Sequence, residues 1–450
     1  MTPLEAWLDA RRLAQPMHVA RVPIRALAGW SLDRSPVALA HRSGRFFSVG
    51  GLRVSTDFGP VRSWDQPIIH QPEIGILGIL TRVRGGARHY LMQAKQEPGN
   101  VDGAQVSPTL QATFSNYTQA HGGSRPDFLD YFTGARPARV LVDLLQGEQG
   151  SRYLRKRNRN VIIEVDEGES DALDSDERFR WMTQAELYGL LARPNLVNMD
   201  TRTVLACQPR GMHEPETDAH DGFARALDES SVPGGRARHS TEALRAWLAS
   251  LQEGYALDLE TRGLDALEGW HIGDMAIARD DGRYFSVIGV SVSGGTREVP
   301  SWEQPLIAHE GFGLNGFVLQ RLDGVLHFLV RACLYPGNQF RFELGSTVSR
   351  SNAASCFGAP DAPPYLDMFR DPPRAWTRYD QVQSEEGGRF FHYENRYVLI
   401  EVPEDEPVHE TPAHSWMTLA QLEAFVAAGL VNIEGRNLLA CLGASKDAAP

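Results

Sequence analysis

Four cysteines stand in 450 residues, at Cys207, Cys333, Cys356 and Cys441. They are too few and too scattered for a disulfide framework or a zinc site. The histidines are dispersed as well, without a close ligand-like pair and without HExxH, so no metal centre is expected. Cys207 and Cys441 each follow Leu-Ala, and both read as small buried hydrophobes. No apolar run approaches the ~18 residues of a membrane span. The opening MTPLEAWLDARRL has acids and no long apolar stretch, so it does not read as a signal peptide. A reducing cytoplasm is the expected compartment. Positive charge is scarce: 45 Lys and Arg face 57 Asp and Glu, for a net charge of −12. That balance argues against general binding to nucleic acid or an anionic membrane. A GxGxxG after a strand, a Walker A loop and a GxSxG elbow are missing too, which excludes a dinucleotide fold, a triphosphate loop and a hydrolase nucleophile of that type. The remaining composition, 42% hydrophobic and 23% charged, is that of an ordinary soluble chain with length for two domains.

What is present is a repeat. Ser63–Pro67, SWDQP, returns as SWEQP at Ser301–Pro305, and Pro98-Gly99-Asn100 returns as Pro336-Gly337-Asn338. QGEQGSRY at Gln146–Tyr153 returns as QSEEGGRF at Gln383–Phe390, and Trp181-Met182-Thr183 as Trp416-Met417-Thr418. The spacing stays near ~240 residues over the whole length, so a complete domain is duplicated rather than a short solenoid unit. The expected division is 1–208 for the first repeat, 209–239 for a Pro- and Gly-bearing linker, and 240–450 for the second. The two copies form a two-member alignment: residues kept in both point to fold, and residues in one alone point to function.

Each copy opens with a short amphipathic helix, Leu4, Trp7 and Leu8 answering Leu244, Trp247 and Leu248. Its apolar stripe could face its own domain or a partner subunit. β-Rich runs follow at Arg45–Val49, Ile76–Arg82, Ala87–Ala94 and Val161–Val165, with counterparts at Arg283–Val287, Leu314–Arg321, Val325–Ala332 and Val398–Val402. Thr183 heads Thr-x-x-Glu, a capping box for a helix over 183–191, and Thr418 heads its copy. The fold class expected is mixed α/β (α+β), with mostly antiparallel or mixed sheets and few helices.

Three differences between the copies carry chemistry. In HYLMQAKQE, strand alternation puts Tyr90, Met92 and Ala94 on one face and His89, Leu91, Gln93, Lys95 and Glu97 on the other. The copy keeps the apolar face and replaces Lys95 and Glu97 by Cys333 and Tyr335. A solvent face free to drift is the plain alternative. Second, SPTLQATFSNY at Ser107–Tyr117 is dense in hydroxyls and amides, which suits either a loop or a sugar-binding wall. Third, Arg152, Arg155, Lys156, Arg157 and Arg159 crowd five cations into eight residues. Such a run is either a solvated face or an anion site.

SWDQPIIHQPEIGILG (Ser63–Gly78), QAKQEPGN (Gln93–Asn100), SPTLQATFSNYT (Ser107–Thr118), LLQGEQGS (Leu144–Ser151) and KRNRN (Lys156–Asn160) resemble the NDP-hexose 2,3-dehydratase family of deoxysugar biosynthesis. The resemblance covers nearly the whole chain in both repeats. It implies tandem modules of Nudix-hydrolase-like topology, a homodimer, a dTDP-4-keto-6-deoxyglucose-type substrate, and no metal or nicotinamide. The second repeat reads ELGSTVS at Glu343–Ser349 where the family often keeps ELAPTVQ, which marks it as a partly degenerate module. The family reaction removes the C2 hydroxyl and the C3 proton of the 4-keto sugar and gives a 3,4-diketo-2,6-dideoxy product.

That chemistry needs a base at C3, a donor at the C4 oxygen and an acid for the departing hydroxide. The expected base is Glu97 or His89, and the expected enolate stabiliser is Lys95. Tyr117, Gln111 and Asn116 are expected to hold hydroxyls or protonate the leaving group. Arg157 and Arg159 are the expected diphosphate ligands. Trp64 and Trp302 suit a core role, with thymine stacking as the alternative. Glu148 is weaker, since Glu385 occupies the same place in the copy. The same motifs add Gln93, Asn100, Thr109, Ser115, Gln146, Gln149 and Asn158 as substrate-binding candidates. A downstream 3-ketoreductase is the expected functional neighbour of a labile diketo product. Two other readings stay open: a metal-dependent Nudix-type pyrophosphohydrolase of nucleotide sugars, and a non-catalytic sugar-nucleotide-binding protein.

Overall fold

A computed structural model describes residues 2–113, 125–166, 176–213, 222–294, 299–309, 311–351, 357 and 362–445. The chain is a mixed α+β protein built on sheets. One seven-stranded sheet runs Arg139–Gly147, Arg157–Glu164, Gly75–Arg84, Ala87–Gln96 and Phe179–Thr183, with Ala104–Ser107 and Leu110–Ala112 paired alongside. The other seven-stranded sheet repeats that order as Thr377–Ser384, Glu394–Val402, Gly313–Leu322, Val325–Leu334 and His414–Met417, with Phe342–Gly345 and Val348–Arg350 alongside. Each holds a single parallel pair inside an otherwise antiparallel arrangement, Arg157–Glu164 on Gly75–Arg84 and Glu394–Val402 on Gly313–Leu322.

The alternation read in HYLMQAKQE is observed on one side: Tyr90, Met92 and Ala94 are buried in a core shared by both repeats. The opposite side is no solvent face, because Leu91 is buried against Leu129, Tyr131 and Phe132. The helices Gln184–Leu191 and Leu419–Ala427 begin at Thr183 and Thr418 with complete capping boxes. The opening helices Pro3–Ala14 and Thr241–Gly254 dock on their own repeats: Trp7 Nε1 donates to the Glu177 carbonyl and Trp247 Nε1 to the Pro412 carbonyl.

The two smaller sheets join the repeats. The strand Met17–Val22, just after the first helix, pairs not with its own repeat but with Ser286–Gly294 of the later one. Its counterpart Leu257–Arg262 pairs with Ser48–Thr56 of the earlier one. Side chains follow the same exchange: Trp30 Nε1 donates to the Glu303 carbonyl, and Trp270 Nε1 to the Asp65 carbonyl. Against the two seven-stranded sheets, Arg202 and Arg436 lie fully buried on the packed helices Met199–Leu205 and Ile433–Ala440. Arg202 donates to the Ser384 carbonyl and Arg436 to that of Gly147, each across the seam.

The segment 209–239, expected to be a bare linker, contains the helix Gly222–Ser230. Phe223, Ala226 and Leu227 sink into the shared core, and Ser230 Oγ donates to the Leu326 carbonyl. Its apolar spacing was hidden by the surrounding Pro, Gly and acidic residues.

Candidate functional site

A cavity of about 700 Å³ opens where the repeats meet. The earlier repeat contributes Lys95, Glu97, Gln111, Glu148, Asn158 and Asp200 to its wall. The later one contributes Trp302, Gln304, Glu386 and Arg389. Trp30, Phe46 and Phe47 complete an aromatic side.

Local structure explains the convergence. Lys95 is the penultimate residue of the strand Ala87–Gln96, and Glu97 is the first residue beyond it. The turn that follows is pinned to the later repeat: Gly99 donates to the Gly387 carbonyl at 2.7 Å, and the Gly99 carbonyl accepts from His392 at 2.9 Å. A Cβ on Gly99 would stand 1.6 Å from the Phe390 carbonyl oxygen, so backbone meets backbone there. The mirrored turn meets Tyr153, with a Cβ on Gly337 likewise 1.6 Å from its carbonyl oxygen. The Pro-Gly-Asn present in both copies is therefore a clasp between repeats, and it holds Glu97 against the segment that carries Glu386.

Lys95 Nζ lies 3.7 Å from Glu97 Oε1, and Gln111 Nε2 donates to the same oxygen at 3.1 Å. Asn158 Nδ2 donates to Glu148 at 2.6 Å, and Tyr153 donates its hydroxyl proton to Glu386 Oε2 at 3.0 Å. A Cβ built on Gly388 would sit 2.3 Å from Glu386 Oε1 and 3.3 Å from Glu97 Oε1. Those two oxygens are thus no farther apart than the two distances laid end to end.

Crowded, buried acids hold their protons. Burial, helped by the charges of Glu97 and Glu148, pushes the Glu386 carboxyl up to about 8, against the pull of Arg389. Burial, with Glu386 and Glu148 nearby, raises Asp200 well above the carboxylate range. Burial raises Glu148 also, while Arg436 and Lys156 oppose it. Burial lowers the Lys156 ammonium. The cavity therefore combines cations with carboxyl groups that can still give a proton near neutrality. At the related place in the later repeat stand Cys333, Tyr335 and Ser349, without a Lys–Glu pair.

Of the residues expected from sequence, Lys95, Glu97, Gln111, Glu148 and Asn158 come together here. Ser115, Asn116 and Tyr117 lie outside the described residues. The others stand elsewhere, for identifiable reasons. His89 is six residues from Lys95 along one strand, about 20 Å away at ~3.3 Å per residue. Its Nδ1 faces the Ala87 carbonyl. Gln93 sits mid-sheet between Phe179 and Ser107. Thr109 bridges strands, accepting from the Leu80 amide and donating to the Leu91 carbonyl. Asn100 closes its own turn through the Gly103 carbonyl. Gln146 donates to the Val426 carbonyl, and Gln149 to Glu385. Arg159 pairs with Asp143 at 2.6 Å, as Arg396 pairs with Asp380 in the copy, so this arginine serves the sheet. Arg157, half-buried on the same strand, is not part of the cavity's described wall. Trp64 packs against Leu52, Val54 and Ile68, while its counterpart Trp302 faces the cavity.

Residues that the sequence reading passed over are Glu386, Arg389, Asp200 and Tyr153, while Lys156 was read only as one of five clustered cations. A signal existed for the first: Glu386 stands where the earlier copy has Gln149. A search for residues lost from the later copy does not see one that only the later copy has.

The chain matches a family model described as NDP-hexose 2,3-dehydratase over residues 1–208 and 241–442. A protein of Saccharopolyspora spinosa is 43% identical over 98% of this chain and 91% of its own length. One of Amycolatopsis orientalis is 39% identical over 98% and 90%, and one of Streptomyces violaceoruber 41% over 97% and 96%. All three are named dTDP-4-dehydro-6-deoxy-alpha-D-glucopyranose 2,3-dehydratase. With both repeats matched over nearly their full length and a cavity built from the two together, the chain belongs to the NDP-hexose 2,3-dehydratase family.

Proposed function

We propose that this protein removes water from a dTDP-4-keto-6-deoxyhexose, as the names of its relatives indicate for them, and so acts as a hydro-lyase of deoxysugar biosynthesis. The observation that carries the reading is Lys95 held 3.7 Å from Glu97 on the wall of a cavity shared by both repeats. The C4 ketone acidifies the C3 proton. Glu97 takes that proton, Lys95 steadies the charge that develops on the C4 oxygen, and the C2–O bond breaks as C2=C3 forms. The enol product tautomerises to the 3,4-diketo-2,6-dideoxy sugar nucleotide. Arg389 and Lys156 replace Arg157 and Arg159 as the cations for the diphosphate, and the Trp30, Phe47 and Trp302 side suits the thymine ring.

The same reading includes a cytoplasmic homodimer, two modules of Nudix-like topology, and hand-over of the labile diketone to a 3-ketoreductase on a route to an antibiotic sugar. Metal-dependent pyrophosphohydrolysis needs carboxylates gathered on one ion. Among the described residues, no three His, Cys, Asp or Glu side chains are so gathered. Mixing the protein with dTDP-4-keto-6-deoxyglucose in EDTA should remove the mass of one water from the sugar nucleotide. Release of thymidine monophosphate only when metal is added would establish the hydrolase instead. Unchanged substrate that nevertheless binds would establish the non-catalytic reading.

A further inference from the structure

The reaction proposed above leaves one task unassigned, the proton for the departing hydroxide. Gln111, one of the residues expected from sequence to serve it, uses its amide on Glu97, which leaves it a positioning group. Among the described residues, Glu148 and Asp200 share the wall with Glu97, and the carboxyl group that the later repeat brings to Glu97 is Glu386. Glu386 is held by Tyr153 at 3.0 Å, and a Cβ built on Gly388 would lie 2.3 Å from Glu386 Oε1 and 3.3 Å from Glu97 Oε1, so both carboxyl groups reach the same small volume beside that glycine. Groups acting on neighbouring carbons of one ring must converge in this way. Lys95 does not fit the role, since an ammonium beside Glu97 belongs with the charge on the ketone oxygen.

We infer that Glu386 is the proton donor to the 2-hydroxyl, so that the repeat without a Lys–Glu pair supplies the acid to the repeat that has one. The inference rests on the dehydration reading. The C3–H bond breaks and its proton goes to the Glu97 carboxylate; C2=C3 forms; the C2–O bond breaks with transfer of the Glu386 proton, and water leaves. Glu97 is then protonated and Glu386 ionised. In the tautomerisation C2 gains a proton and the 3-hydroxyl loses one, which through the same pair restores both. No oxidant, reductant or metal enters the balance. Buried among Glu97, Glu148 and Asp200, with Arg389, Lys95 and Lys156 as the opposing charges, Glu386 stays protonated up to about 8.

Glu386→Gln tests this on two substrates, the natural 4-keto sugar nucleotide and its 2-deoxy-2-fluoro analogue. Fluoride departs without a proton, so loss of the acid should cost about 10²–10⁴-fold in kcat on the hydroxyl substrate and little on the fluoride. Binding of dTDP alone should be unchanged. Equal loss on both substrates, or near-normal kcat on the hydroxyl substrate, overturns the assignment. Should E386Q fail to fold, Tyr153→Phe serves. It removes a hydrogen bond that stabilises the ionised Glu386, so the alkaline limb of kcat/KM should move to higher pH, and a limb that stays in place overturns the assignment. A wild-type chain that releases no water at all sinks the dehydration reading itself; a competent wild type beside an indifferent E386Q sinks only this inference.

Discussion

At the scale of the residue, Lys95 and Glu97 owe their meeting on the cavity wall to where the strand ends. Both are almost fully buried, and 3.7 Å apart they cannot be replaced independently without leaving the partner's charge poorly matched. Lys95→Ala and Glu97→Gln should each lower kcat by roughly 10²–10⁴-fold, measured as water released from the sugar nucleotide. Arg389→Ala should chiefly raise KM, whereas Arg159→Ala should leave KM alone and lower stability slightly, by an exposed-pair amount of about 0.2–1 kcal/mol. The contrast marks what was legible. Lys95 and Glu97 stood out because their copies are Cys333 and Tyr335. Arg159 misled because five clustered cations look alike in a string. On a strand they alternate, and Asp143, sixteen residues earlier in the chain, takes one of them. The clue was there, since Arg159 and Arg396 are kept in both copies and kept residues belong to the fold.

At the scale of the element, the clasp formed by the two Pro-Gly-Asn turns matters more than any strand. Each glycine is required by close approach rather than by an unusual backbone angle, since an added methyl would fall on a carbonyl oxygen at 1.6 Å. Gly99→Ala should therefore destabilise the protein by about 1–3 kcal/mol or more, as overpacking does, with a lowered urea midpoint. It should lower kcat as well, because Glu97 and Glu386 are positioned by the same contact. Ala at Gly85 instead, in an exposed turn at φ 61°, should cost stability by strain alone and leave kcat unchanged. Capping boxes and period-two runs gave the helix starts and the large sheets, because those signals are local. Strand exchange through Met17–Val22 and Leu257–Arg262 has no local signature: either pairing buries the same faces, and only the three-dimensional path decides. For the same reason Trp64 and Trp302 could not be told apart, since each presents the same motif and only the fold places one of them over the cavity.

At the scale of the whole molecule, exchange makes the duplicated chain a single unit. Buried acids at the seam bear on its stability: Glu343 and Glu434 are pushed up to about 7 by burial, and Glu386 to about 8. The folded chain holds these protons where the unfolded chain, with ordinary carboxylates, has lost them. Stability should thus fall as pH rises from the ordinary carboxylate value of 4.5 to about 8 and level off above, read as a declining urea midpoint, and E434Q should flatten the slope. The repeats themselves should not survive separation. Residues 1–208 alone would lose the acceptors Ser384 and Asn437 of Arg202, uncover the half of the shared core that the later repeat closes, and strip Ser48–Thr56 of the strand Leu257–Arg262. Residues 240–450 alone would lose the Gly147 acceptor of Arg436 and the strand Met17–Val22. The apolar core that both repeats share would open to water on each fragment, a loss large beside the stability of an ordinary domain. Each fragment expressed alone should be unfolded or aggregated by circular dichroism, and the full chain should melt in one transition. Expressed together as 1–208 and 209–450, so that the helix Gly222–Ser230 is kept, the two should recover a folded complex that binds dTDP. A soluble, cooperatively folded 1–208 with dehydratase activity would show that the site needs no second repeat, and would remove the ground on which Glu386 and Arg389 enter it.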